Sequence, residues 1–139
     1  MESLQFKRLL FKAAFCVMAC DGEVDESEIR EMQAIDKQTA YFKDIDLSAE
    51  LESLVQDLNK QGIEILKTLF KDLKKSDLTI TQELLLLEVV LRMIYADNKV
   101  DENEITFLRI VRSRLKIPNE IINDRVGVIK YLSGVNKEW

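Results

Sequence analysis

An acidic turn of ten residues occurs twice in this chain, and that duplication constrains the fold more than any other feature. Residues 20–29 read Cys-Asp-Gly-Glu-Val-Asp-Glu-Ser-Glu-Ile, and residues 96–105 read Ala-Asp-Asn-Lys-Val-Asp-Glu-Asn-Glu-Ile. At the offset that sets Asp21 on Asp97, Val24 falls on Val100, Asp25 on Asp101, Glu26 on Glu102, Glu28 on Glu104 and Ile29 on Ile105. Apolar residues precede each turn at intervals of three and four, so each copy joins two helices. Self-similarity of this kind predicts a chain built from two related helical units.

Periodicity carries the all-α reading through the rest of the chain. A first helix over about 3–20 has an inward stripe of Leu9, Leu10, Ala13, Ala14, Val17 and Met18. A second begins after Asp25 with Ile29, Met32 and Ile35, and Tyr41 and Phe42 then plug the core from a looser segment at 39–46. A third spans about 48–59 through Leu51, Leu54, Val55 and Leu58. Gly62 is expected to open a fourth, with Ile63, Leu66, Leu69, Phe70 and Leu73 on its inner face. The fifth, about 81–96, is apolar almost all round, which suits the middle of the fold. A sixth follows Asp101 with Ile105, Leu108, Val111 and Leu115, and Pro118 suits the first turn of a seventh. A last short helix is expected within 127–139.

These elements predict a single-domain bundle of about seven helices over residues 1–139. Repeat one covers about 3–60, a linking helix about 62–75, and repeat two about 79–126. Helices one, two and three then correspond to five, six and seven. Four glycines and one proline in 139 residues favour long helices with short connections. A chain of this length buries roughly two-thirds of its unfolded surface. Its 47% apolar and 32% charged residues describe a globular protein rather than a disordered one.

Composition also removes whole classes of function. The net charge of −5 repels phosphate backbones, so no nucleic-acid partner is expected. Lys71, Lys74 and Lys75, the nearest approach to a basic cluster, read as the solvated last turn of a helix. There is no histidine, which excludes Ser–His and Cys–His nucleophiles and zinc sites built on His. The amino terminus lacks the layout of a signal peptide. The greasiest stretch, 84–95, is interrupted by Glu88 and Arg92 and is shorter than the ~20 residues a membrane span needs. A soluble, cytoplasmic protein without a membrane span is expected. Cys16 and Cys20, four apart on one helix face, read as small core residues in a reduced compartment, with a soft-metal pair as the other reading.

Much of the acidic turn is accounted for by helix capping. Asp25 to Glu28 has the spacing of a capping box, in which Asp25 accepts from first-turn amides and Glu28 reaches back. Val24 and Ile29 are placed to form a hydrophobic staple, and Val100, Asp101, Glu104 and Ile105 repeat the arrangement. Asp21 and Asp97 do not fit this account, because each stands at the carboxyl end of a helix, facing its negative pole. The offset comes from a bound cation, a basic side chain from elsewhere, or the amides that open the next helix. Oxygen ligands would select calcium or magnesium. An EF-hand is excluded: counting from Asp21, position six is Glu26 and position twelve is Met32, and from Asp97 they are Glu102 and Leu108.

The form Ala/Cys-Asp-Gly-x-Val-Asp-x-x-Glu-Ile after one long helix, and again after another, resembles the TerB-like domain family. That family includes the amino-terminal part of a membrane-anchored J-domain chaperone. The likeness covers residues 5 to 125 in layout and implies an all-α fold with internal pseudo-symmetry. It also implies an acidic patch that binds divalent cations, here Asp21, Asp25, Glu28, Asp97, Asp101 and Glu104. Asn98 and Lys99 depart from the pattern, where the first copy has Gly22 and Glu23. No His-Pro-Asp triplet is present, so the chain is not itself a J-domain.

Two functions follow as expectations. One is a non-catalytic interaction module with a protein partner in a stress-response or membrane-associated assembly, marked by an exposed apolar patch of about a few hundred Å². The other is a calcium- or magnesium-binding regulatory protein using the duplicated turns. An enzyme is not expected, since a paired-carboxylate hydrolase needs two acids with separated pKa values in a cleft. Glu88 and Arg92, four apart on the fifth helix, are expected to pair with each other.

Overall fold

The computed structural model describes residues 3–20, 24–96 and 99–126, and every regular element among them is helical. In chain order these are α1 (Leu4–Ala19), α2 (Glu26–Gln38), α3 (Leu47–Gln61), α4 (Glu64–Lys75), α5 (Ile80–Ile94), α6 (Glu102–Ser113) and α7 (Asn119–Val126). The all-α expectation therefore holds, with seven helices among the described residues. The helix expected within 127–139 lies outside them. No helix among them is long and apolar enough to cross a membrane.

Side chains at the helix starts satisfy amides that the helices themselves cannot. Ser3 Oγ accepts from Phe6 N at 3.1 Å ahead of α1, and Asp46 Oδ1 accepts from Ala49 N at 3.2 Å ahead of α3. Thr79 N donates to Gln82 Oε1 at 2.9 Å while Gln82 N donates to Thr79 Oγ1 at 3.1 Å, which closes a capping box before α5.

Two expected positions are corrected. Gly62 ends α3 rather than opening α4: it donates to Leu58 O at 2.7 Å with φ of 59°, a left-handed value that favours glycine. Ile63 then precedes α4 with no side-chain cap. Pro118 stands just before α7 rather than inside its first turn, and its carbonyl accepts from Ile121 and Ile122.

α1 and α5 form the centre. They pack on each other; α1 also meets α3 and α4, while α5 meets α2, α6 and α7. The all-round apolarity of α5 foretells its place. α1 shares that place because Phe11 and Phe15 are buried along with most of the expected stripe. Phe42, fully buried, inserts edge-on against Phe11 with ring centroids 5.3 Å apart. Each such side chain contributes about 1.5–3 kcal/mol when removed from water. α3 is a cover, enclosing only Leu54 completely.

The packing repeats less faithfully than the sequence. α3 packs on α1 as α7 packs on α5, in step with the duplication. α2 and α6 both pack on α5, where exchange of the two repeats would set one of them on α1.

Candidate functional site

The two acidic turns enter α2 and α6 through the same local chemistry. Asp25 is extended, and its Oδ1 accepts from Ser27 N at 2.8 Å and from Ser27 Oγ at 2.7 Å. Glu28 Oε1 accepts from Asp25 N at 3.3 Å. Asp101, also extended, accepts from Glu104 N at 2.8 Å, and Glu104 Oε1 accepts from Asp101 N at 3.2 Å. Four of the six carboxylates singled out from the sequence therefore start helices. Glu28 and Glu104 are buried, whereas Asp25 and Asp101 are exposed. Asp21 and Asp97 lie outside the described residues. The staple is uneven: Val24 is 44% exposed, while Val100 packs against the core.

Electrostatics link the turns to each other. The Asp25 carboxyl is held below the usual carboxylate range, first by the Ser27 hydroxyl, then by the Ser27 amide, with smaller help from Arg30 and Lys99. Lys99 belongs to the second turn, so a charge of one copy bears on the carboxylate of the other. The lysine that breaks the acidic match serves as a neighbouring positive charge for the opposite copy. Among the described residues, no group of three or more Cys, Asp or Glu side chains is arranged to hold a metal ion.

An apolar groove of about 230 Å³ runs between α4 and α6. Ile63, Leu66, Phe70, Phe107 and Ile110 are its apolar lining, with the Phe70 and Phe107 rings 5.6 Å apart. Cys20, the first residue of the first acidic turn, and Asn103, in the first turn of α6, also line it. The groove thus touches the approaches to both turns. Ile63 corrects another expectation: it is 65% exposed rather than part of the inner face. The left-handed Gly62 redirects the chain there, and the inward row of α4 begins at Ile65.

The remaining chemistry-bearing groups are structural. Burial pushes the Cys16 thiol up to about 12, and Cys20 Sγ donates to Val17 O at 3.0 Å. Neither cysteine forms a disulfide; Cys16 is a core residue as expected, whereas Cys20 is half-buried at the groove. Arg92 does not pair with Glu88. It reaches across to α2, with Nε 2.7 Å from Glu31 Oε2 and Nη2 2.9 Å from Gln38 Oε1. Glu88 instead faces Tyr41, whose hydroxyl is pushed up to about 12 by burial and by that carboxylate.

Sequence reasoning passed over Glu83. Only 4% exposed, its carboxylate accepts from Lys116 N at 3.0 Å and Ile117 N at 2.8 Å, fastening the α6–α7 connection to α5. A charged residue amid the apolar positions of α5 was the available signal.

The family model described as Tellurite resistance protein TerB matches residues 10–124, a span containing both turns and both walls of the groove. No curated protein and no solved structure matches the chain.

Proposed function

From the premise that the chain belongs to the TerB family, we propose that it is a non-catalytic interaction module. It holds an apolar segment of a partner protein in the α4–α6 groove, beside its acidic turns. The groove carries this reading, because Ile63 is the most exposed large apolar side chain among the described residues and continues into the half-buried Phe70 and Ile110. Exposed apolar surface bordered by charge is what a protein-binding site requires. The lack of histidine supports a role without catalysis. Family membership favours a stress-response or membrane-associated assembly as the setting.

Site-specific photo-crosslinking in cells tests this. A crosslinking amino acid in place of Lys67, on the groove rim, is expected to give a discrete adduct that Ile63→Glu suppresses. The same group in place of Glu52 on α3 is expected to give none. Equal crosslinking from both positions, or an adduct that survives Ile63→Glu, would refute the module.

A second reading follows from the family likeness alone. Here Asp21, Asp25, Glu28, Asp97, Asp101 and Glu104 supply oxygen ligands to calcium or magnesium. At about a hundredfold excess over Kd such an ion adds ~2.7 kcal/mol of stability, a rise of several degrees in Tm. A calcium or magnesium titration that leaves Tm unchanged, with Asp21→Asn and Asp97→Asn indistinguishable from the parent, removes it.

A further inference from the structure

The far end of the central helix pair has a different chemistry. One acidic turn follows the carboxyl end of α1 and the other follows that of α5, and these two helices pack along each other. The amino-terminal ends of α1 and α5 open on one groove of about 580 Å³, lined by Ser3 just ahead of α1, Gln5 within it, Leu78 just ahead of α5 and Gln82 within it. The two central helices therefore run parallel, and the positive poles of both face this groove.

The charges in the groove agree with the poles. Arg8, Lys12 and Lys75 line it against Asp72 and Asp77, leaving one net positive charge on a chain of net charge −5. Lys75 has no ion-pair partner among the described residues. Arg8 is paired with Glu50 at 3.0 Å but remains 58% exposed, and Lys12 meets Asp72 at 3.6 Å. Lys12 is only 21% exposed in its pair, so the more exposed Arg8 is the one that yields to a better anion. A planar guanidinium beside two ammonium groups suits the oxygens of a phosphate. α4 ends here, but Lys74 and Lys75 offset its negative pole.

The groove is larger than a phosphate and not wholly polar. Phe6, Leu9 and Leu78 form an apolar wall, and Leu4 and Ile80, the first residues of α1 and α5, are 43% and 50% exposed. We infer that this groove binds a phosphate group carried on a partly apolar molecule. Soluble phosphate esters and lipid headgroups share that chemistry. Neither the acidic turns nor the α4–α6 groove takes part.

Two arms on the full chain distinguish these sources. Calorimetric titration with phenyl phosphate probes a soluble ester, and flotation with phosphatidylcholine vesicles, with or without phosphatidic acid, probes a headgroup. Saturable binding in at least one arm at low salt is expected, lost at high salt as exposed charges are screened. Lys75→Glu and Arg8→Glu are each expected to weaken it by about tenfold, as removal of a charged hydrogen bond to the ligand does. Lys60→Glu, an equal change of charge in the last turn of α3, is expected to leave it within about twofold because screening confines exposed charges to short range. Binding in the first arm assigns the site to a soluble ester, and binding in the second alone assigns it to a headgroup. No binding in either arm, or equal loss in Lys60→Glu, overturns the inference.

Discussion

Asp25 and Asp101 stand at equivalent places in the two turns, yet the side chain two residues further on differs. Ser27 gives Asp25 a hydroxyl in addition to an amide, whereas the second copy has Asn103 at that position. Asp101→Ala removes a cap and is expected to cost ~1 kcal/mol by denaturant unfolding. Asp25 adds a dependence on pH. Its folded-state pKa lies below the unfolded value, chiefly through the Ser27 hydroxyl, so its contribution is complete above the ordinary carboxylate range. That contribution falls away as pH drops through the depressed folded value. The stability gap between the parent and Asp25→Ala should therefore be wide at about pH 7 and narrow toward about pH 3. Ser27→Ala should shift this narrowing to higher pH. A gap that stays constant with pH would show that the carboxylate is not held in its charged form by the fold.

The connection between α6 and α7 is tied down from both sides. The Glu83 carboxylate takes the amides of Lys116 and Ile117, while Arg112 Nη2 donates to Ile117 O and Asn119 Oδ1, each at 2.8 Å. Glu83→Ala leaves two backbone donors without their acceptor and is expected to cost about 2–3 kcal/mol. Glu83→Gln, which keeps one carbonyl oxygen, should cost less. Hydrogen exchange should quicken at Lys116 and Ile117 in Glu83→Ala and stay unchanged in α2; uniform quickening would mean the bond holds the whole fold rather than this connection. The clasp also shows what the sequence could not reveal. Helix caps were legible because Asp25 and Glu28, or Asp101 and Glu104, lie three residues apart and find each other whatever the rest of the chain does. Glu83 and Lys116 are 33 apart, and Arg92 and Glu31 are 61 apart, so only the packing of whole helices makes them partners. Glu88 looked like the partner of Arg92 because helical spacing brings them close, but α2 lying on α5 offers Arg92 the nearer carboxylate. The groove was illegible for a similar reason: the outward turn of Ile63 depends on the backbone of Gly62, which periodicity alone does not report.

The parallel run of α1 and α5 gives the molecule its polarity, with acidic turns at one end and a basic groove at the other. Both ends depend on one core, since the buried residues of all seven helices form one contiguous cluster. If residues 1–139 are one cooperative unit, damage to the α1–α5 contact should reach both turns equally, although they are 76 positions apart in sequence, the difference between Asp97 and Asp21. Phe15 and Leu87 are both fully buried on these helices. Phe15→Ala is expected to cost about 3–5 kcal/mol and Leu87→Ala about 2–5 kcal/mol, large fractions of the 5–15 kcal/mol typical of whole domains. Each variant should still unfold in one transition, with far-ultraviolet circular dichroism and tyrosine absorbance coincident. Amide exchange at Glu28 and Glu104 should rise together, because the caps that hold them rest on the same pair of helices. Exchange that rises at Glu28 alone in Phe15→Ala, with Glu104 still protected, would divide the chain into two independently stable repeats. The duplication would then describe the folding units themselves, and the placing of both turns at one end would come from the docking of two neighbours rather than from a shared core.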